Sequence, residues 1–108
     1  MGTVNRNSSN RFITTQRVSI TSGSKTVGSA FGDQSYQIRV VGNAACNINI
    51  FDANAATTAA TNSMAYLADN FPEYFTVTPG QYLSVIQCST DGLVTATNGA
   101  LWVTEVGA

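Results

Sequence analysis

The sequence predicts an all-β fold: a single antiparallel β-sandwich, jelly-roll-like, of about eight strands with an extended N-terminal arm. One observation is the alternation of apolar and polar residues in short runs, which is typical of half-buried strands. Another is the spacing of these runs, about 8 to 12 residues apart, which favours a sandwich or a barrel. A third is a set of tight-turn pairs that separate runs of β-forming residues, namely Pro79-Gly80, Asp91-Gly92 and Asn98-Gly99.

The front half of the chain contains four predicted strands. They cover residues 16–21, 25–31, 35–41 and 46–52. In the third strand, Tyr36, Ile38 and Val40 lie on one face while Gln37 and Arg39 lie on the other. This two-residue period predicts that one face of each strand is buried and the other is not.

The rear half contains four more predicted strands, arranged as a β-meander. They cover residues 73–78, 81–88, 93–97 and 100–106. Asn-Gly and Asp-Gly pairs favour hairpins because both central residues of the turn need a positive φ. Residues 53–70 are interpreted as a loop from which Met64, Tyr66 and Leu67 return to the core.

The length of the chain corresponds to one domain, since 108 residues can bury a single core. We predict an arm at residues 1–15 and a sandwich at residues 16–108. Neither a membrane-spanning run nor a signal peptide is readable. Cys46 and Cys88 are therefore expected to be reduced thiols that pack as small apolar side chains, with a single disulfide bridge as the alternative.

The charges of the chain are divided between its two ends. All five basic residues occur within the first 39 positions, whereas residues 40–108 carry five acids and no base. With Asp33 counted against the bases, the front carries about +4 and the remainder about −5. This asymmetry is typical of a protein that meets copies of itself, or one large partner, in a fixed orientation.

The sequence lacks the patterns of the common catalytic and metal sites. It contains no histidine, which removes the usual general base and the commonest transition-metal ligand. The pair Asp69 and Glu73 could act as two glycosidase carboxyls only if their separation were suitable. Asp52, Asn54 and Asp69 could bind calcium but lack EF-hand spacing. We expect no catalytic residue, no cofactor and no metal.

The basic front predicts an interface with protein. Arg6, Arg11 and Arg17 are evenly spaced, and Phe12 adds an apolar anchor beside the second of them. Guanidinium groups bind planar acidic and amide groups well. Nucleic acid is not the expected partner, because phosphate binding usually requires about six or more contacts on a clustered basic face. No membrane partner is expected.

From Arg17 onward, the chain resembles small virion proteins of tailed bacteriophages. The resemblance rests on the segments RVSIT, SYQIRVVG, NINIF, EYFTVTPGQYLSVIQ and GALWVTEV. It implies a β-sandwich that serves as a capsid decoration (cement) protein or as a minor head or tail component. It also implies a homo-oligomer, a trimer or a dimer, and it assigns no catalytic residues.

The expected function is therefore that of a non-enzymatic virion protein assembled in the host cytoplasm. Its partners would be the major capsid protein or other virion proteins, bound through the sandwich and the basic arm. The alternative is a binding module on a tail, fibre or spike that holds carbohydrate or an adaptor. Four rings could stack on sugars in that case, those of Tyr66, Tyr74, Tyr82 and Trp102.

Overall fold

The computed structural model describes residues 11–90 and 95–107, which form eight strands in two antiparallel sheets. Sheet A has the order β1-β8-β3-β6, and sheet B has the order β2-β7-β4-β5. The strands are β1 (Arg11–Ile20), β2 (Lys25–Thr26), β3 (Gln37–Gly42), β4 (Cys46–Phe51), β5 (Ala65–Leu67), β6 (Glu73–Thr76), β7 (Tyr82–Gln87) and β8 (Gly99–Gly107). The predicted all-β sandwich is confirmed.

The strands pair in a nested order. Strand β4 pairs with β5, β3 with β6, β2 with β7 and β1 with β8. Apart from the step from β4 to β5, each connection carries the chain to the other sheet. The predicted β-meander is therefore wrong, because β6, β7 and β8 are not neighbours.

Of the three predicted tight turns, the Pro79-Gly80 turn forms. Gly80 has a φ of +91°, and the Gln81 amide donates to the Thr78 carbonyl at 3.1 Å. This turn does not close a hairpin, since it leads from β6 in sheet A to β7 in sheet B. Asn98 and Gly99 lack the positive φ of a hairpin turn. The third pair, Asp91-Gly92, lies outside the described residues.

The core lies between the two sheets and consists of aliphatic side chains from alternate strand positions. Leu101 and Val103 of β8 pair with Val18 and Val40 of the neighbouring strands, and all four are buried. Sheet B contributes Ile48, Leu83 and Val85 to the same cluster. Burying one such side chain stabilises the fold by about 1.5–3 kcal/mol.

Two predicted boundaries in the front of the chain differ from the structure. Strand β1 begins at Arg11, so the predicted boundary after residue 15 falls inside it, and residues 1–10 lie outside the described residues. The second predicted strand shortens to two residues. The rest of that predicted strand runs beside β7 without being a strand, since the Val27 amide donates to the Leu83 carbonyl at 2.9 Å.

Two further differences occur in the rear of the chain. Residues 65–67, predicted as loop, form β5 because their backbone pairs with β4. Of the predicted strand at 93–97, residues 95–97 are not in a strand, and residues 93 and 94 lie outside the described residues. Leu67 is buried as predicted, whereas Tyr66 is exposed.

The connection between β4 and β5 covers the outer face of sheet B. Three polar side chains of that face, Asn47, Asn49 and Ser84, donate to backbone carbonyls of the connection at 2.8, 3.3 and 2.7 Å. The Ala60 amide of the connection donates in turn to the Ser24 hydroxyl at 2.8 Å. Among the described residues, no connection covers the outer face of sheet A in this way, and we call this face the open face.

Candidate functional site: the outer face of sheet A

The strand register places a defined set of side chains on the outer face of sheet A. Since neighbours along a strand point to opposite faces, the partners of the buried Leu101 and Val103 point inward, and the intervening residues point outward. The outward set comprises Phe12, Thr15, Arg17, Ser19, Gln37, Arg39, Val41, Tyr74, Thr76, Ala100, Trp102, Thr104 and Val106. Of these, Ala100, Thr104 and Val106 are buried.

One row across this face joins a cation to an aromatic ring. Arg17 of β1 is opposite Trp102 of β8, which is opposite Val41 of β3. The Arg17 guanidinium carbon lies 5.7 Å from the centroid of the Trp102 ring. Attraction between the cation and the ring holds the Arg17 guanidinium beside Trp102.

The adjacent row combines hydroxyl groups, a second guanidinium and a phenol. Thr15, Thr104, Arg39 and Tyr74 follow one another across the four strands of sheet A. The Thr15 and Thr104 hydroxyl oxygens lie 3.0 Å apart and share a hydrogen bond. Tyr74 is more than half exposed on the edge strand. This row offers donors and acceptors with a ring at its end.

The face is basic. Its described outward residues include Arg17 and Arg39 and no acid. The two acids of the same sheet occupy inward positions, Glu105 opposite Ile38 and Glu73 opposite Val40. The face is thus suited to carboxylates, phosphates or backbone carbonyls on a partner.

A bulge separates the basic residues predicted to act together. Phe12 pairs with Val106, while Thr14 pairs with Glu105, so Ile13 is an extra residue in β1. An extra residue reverses the alternation of a strand. Arg11 and Arg17, six residues apart, would share a face on a regular strand but lie in opposite phase here.

The predicted interface residues therefore occupy three settings. Arg17 lies on the outer face of sheet A, and Arg6 lies outside the described residues. Arg11 and Phe12 line a cleft of about 360 Å³ at the start of β1, together with Ile13, Gln34 and Gly107. The predicted protein interface did not include Arg39, Tyr74 or the threonine pair, although Tyr74 was one of the four rings named for the carbohydrate-binding alternative. The alternation around Arg39 was the available signal.

The four rings expected of a sugar-binding site do not form one platform. The Trp102 ring carries the Arg17 guanidinium. Tyr82 stacks on Phe51 with centroids 5.9 Å apart. Tyr66 lies on β5 in sheet B, and Tyr74 lies on β6 in sheet A.

Two acidic residues predicted as calcium ligands, Asp52 and Asp69, are likewise separated. Asp52 follows β4 and Asp69 follows β5, and these antiparallel strands end at opposite ends of the sandwich. Asp52 accepts a hydrogen bond from Gln81 at 3.1 Å. Within residues 11–90 and 95–107, no three His, Cys, Asp or Glu side chains come together as a metal site would need.

The two cysteines are buried and unbonded to each other. Cys46 lies at the start of β4. The backbone amide of Cys88 donates to the carbonyl of Ala45, the residue before Cys46, at 3.2 Å. Burial, with the neighbouring Cys88 thiol adding to it, raises the pKa of Cys46 from 9.0 to about 12. Such a thiol is a poor nucleophile at neutral pH.

This pKa predicts a loss of stability in alkali. Between pH 9.0 and about 12 the unfolded Cys46 thiol loses its proton while the folded thiol keeps it, so stability falls as the pH rises. Urea unfolding between pH 8 and pH 11 should show a steeper fall for the native chain than for Cys46→Ala. If the stability of the two proteins changed with pH in the same way, the raised pKa of Cys46 would be contradicted.

Comparisons with protein-family models, with curated protein sequences and with solved structures found no match to this chain. Among the described residues, no helix has the length and apolar character required to cross a membrane. The candidate site therefore rests on the residues of the open face themselves.

Proposed function

We propose that this chain is a non-enzymatic structural protein of a tailed-bacteriophage virion. Its role is that of a capsid decoration (cement) protein, and it attaches to the capsid lattice through the outer face of sheet A. The observation that carries this proposal is the contrast between the two outer faces. Residues 57–64 bond to the outer face of sheet B, while the outer face of sheet A presents Arg17, Arg39 and Tyr74.

The chemistry of the open face supports attachment to protein rather than to a small molecule. The face is broad, and its polar groups are spread over adjacent rows rather than converging in a pocket, as ligand sites usually require. Arginine and aromatic residues are enriched where proteins bind each other tightly. The low charge of the chain, 10% charged residues, suits close packing against neighbours.

The nested strand pairing also supports the proposal. Strand β1 pairs with β8, β2 with β7, β3 with β6 and β4 with β5 in two four-stranded sheets, and this pairing supports the jelly-roll architecture that we propose. That architecture occurs in viral capsid domains, and in lectins and other families too. Because folds host many functions, this support is by analogy and comes second to the residues of the face.

Attachment should depend on the two arginines of the open face. Arg17→Gln and Arg39→Gln are each expected to lower occupancy about tenfold on purified capsids that lack this protein, because each removes charge-assisted bonds. Occupancy is measured by quantitative gel analysis of particles separated from free protein.

A matched control is Ala56→Glu, which shifts the net charge by the same amount on the connection that covers sheet B. Its occupancy should equal that of the native chain. Native occupancy by both arginine variants would contradict attachment through this face. Failure of the native chain to bind any capsid would contradict the decoration role itself.

A further inference from the structure

The sandwich has two lateral edges that differ in charge. One edge is formed by β1 and β2, the first strands of sheets A and B, and the other by β6 and β5, the last strands of those sheets. We call them the basic edge and the acidic edge. Residues 11–26 of the basic edge include Arg11, Arg17 and Lys25 and no acid, whereas residues 65–76 of the acidic edge include Asp69 and Glu73 and no base.

This separation arises from the nested pairing of the strands. The bases of the chain lie early in the sequence, and β1 and β2 are placed on the same side of the two sheets. Strands β5 and β6, which follow in the acidic part, are placed on the other side. The charge asymmetry along the chain thus becomes an asymmetry across the width of the two sheets. In each four-stranded sheet the two edge strands are three strand spacings apart, which is about 14 Å.

The exposed large apolar side chains lie at the same two edges. Phe12 and Ile13 belong to β1, while Tyr66, Phe71 and Tyr74 belong to β5, β6 and the loop between them. The remaining one, Tyr36, precedes β3, and its carbonyl accepts a hydrogen bond from Val77 just beyond β6. None of the six lies within a central strand of either sheet. Each edge therefore combines one sign of charge with exposed apolar area.

Among the described residues, no further strand pairs with the outer edges of the two sheets. In the described part of the chain, β1 is ten residues long, and no strand pairs with its outer side. The two charged residues Lys25 and Glu73 occupy inward positions on edge strands, opposite Val85 and Val40. On edge strands, the side chains of inward positions can reach solvent past the edge of the sheet. They oppose pairing between like edges, which is a known protection, and favour pairing between unlike ones.

We propose that the basic edge of one copy docks on the acidic edge of a second copy of this chain. The contact is heterologous, so repetition closes into a ring or continues as a row. The charge complementarity of the two edges identifies the occupant as another copy. Two basic edges would bring four β1 arginines together without an acid. This inference holds whatever the outer face of sheet A binds, and so goes beyond the proposed function.

The contact is expected to be weak in free solution. An edge of ten residues is about 33 Å long, and an interface of that length and one sandwich in width falls at the low end of specific contacts, below about 1,200 Å² in total. Neighbouring copies held on a lattice would be at a high effective concentration, which makes such contacts effective.

The test is a charge swap between edges, read by sedimentation equilibrium of the chain alone. At about 0.5 mM protein in about 50 mM salt, the average mass of the native chain should be at least about 1.5 times the 11.4 kDa mass of the monomer. In about 0.5 M salt the mass should return to that of the monomer, because exposed charges are then screened.

Two double variants separate the edges. Arg11→Glu with Lys25→Glu makes both edges acidic, and Asp69→Lys with Glu73→Lys makes both basic. Each variant alone should be monomeric, and an equimolar mixture should associate again, because the first retains the native acidic edge and the second the native basic edge. Far-ultraviolet circular dichroism confirms that both variants fold.

A third variant is the control for net charge. Arg39→Glu with Ala56→Glu and Ala59→Glu shifts the net charge as much as the first double variant but leaves both edges unchanged, so it should associate like the native chain. A monomeric native chain at low salt, or a mixture that does not associate, would overturn the proposal. Loss of capsid attachment by the third variant with its association retained would separate this contact from the proposed function.

Discussion

Glu105→Ala is expected to lower the free energy of unfolding by about 3 kcal/mol, which is a large part of the roughly 5–15 kcal/mol that stabilises a domain of this size. Glu105 is 3% exposed and faces the interior opposite Ile38. One of its carboxyl oxygens accepts from the Ser35 hydroxyl at 2.5 Å and from the Gly32 amide at 2.9 Å. Removing the carboxyl leaves the buried Ser35 hydroxyl without this acceptor, and it also removes the acceptor of the amide of the exposed Gly32.

The effect depends on the turn that Glu105 holds. The Ser35 amide donates to the Gly32 carbonyl at 3.0 Å, and this turn precedes β3. Ser35 is itself fully buried, so water cannot readily replace the lost acceptor. The carboxyl of Glu105 thus joins the β2–β3 connection to β8.

Urea denaturation of three variants tests this interpretation. Asp33→Ala, in the same turn but exposed, should change the stability by less than about 0.5 kcal/mol. Ser35→Ala and Glu105→Ala should be strongly non-additive when combined, because they share one hydrogen bond. A loss below about 1 kcal/mol in Glu105→Ala would mean that the donors find other partners.

Gly99→Ala is expected to destabilise the fold by about 2 kcal/mol, within the range for overpacked sites. A Cβ at this position would overlap Asn43 Oδ1 and lie 2.8 Å from Ala44 Cβ. The Asn43 side chain cannot move away freely, because its Oδ1 accepts from the backbone amide of Ala100 at 2.8 Å. The backbone amide of Asn43 also donates to the Ala100 carbonyl at 3.1 Å. The substitution must break these bonds or shift β8.

Gly28→Ala is the matched control for this prediction. A Cβ on Gly28 would meet nothing nearer than Gln16 Oε1 at 4.0 Å, and the position has no positive φ. Alanine there should be neutral or stabilise by up to about 1 kcal/mol, since it restricts the unfolded chain. Equal thermal midpoints for the two alanine variants would show that contact at Gly99 is not the cause.

Two glycines show how much of the fold a local sequence pattern can predict. Asn98-Gly99 predicts a hairpin turn with positive φ, yet Gly99 begins β8 and is required by close approach to Asn43. Pro79-Gly80 forms the predicted turn because proline fixes one φ and glycine permits the other. A dipeptide thus indicates a turn more reliably than it indicates what the turn joins.

The candidate site was only partly predictable for the same reason. Arg17 was predicted at an interface, but its neighbours Trp102 and Arg39 lie 85 and 22 residues away in sequence and meet it only across β8. The bulge at Ile13 also places Arg11 in the opposite alternation to Arg17, so the two side chains do not share a face of β1. Glu105 appears in sequence as an ordinary charged position in a strand, whereas in the fold it is buried and accepts a hydrogen bond from the distant Ser35.

The sequence by itself determined that the chain is an all-β domain, because the alternation of side chains along a strand is a local property that each segment carries. It also determined the division of charge between the front and the rear. The tertiary structure decided which strands pair, which outer face stays open and that the two charges lie on opposite edges. These depend on contacts between distant segments, and similar strands of few residues do not specify their partners until the whole core closes.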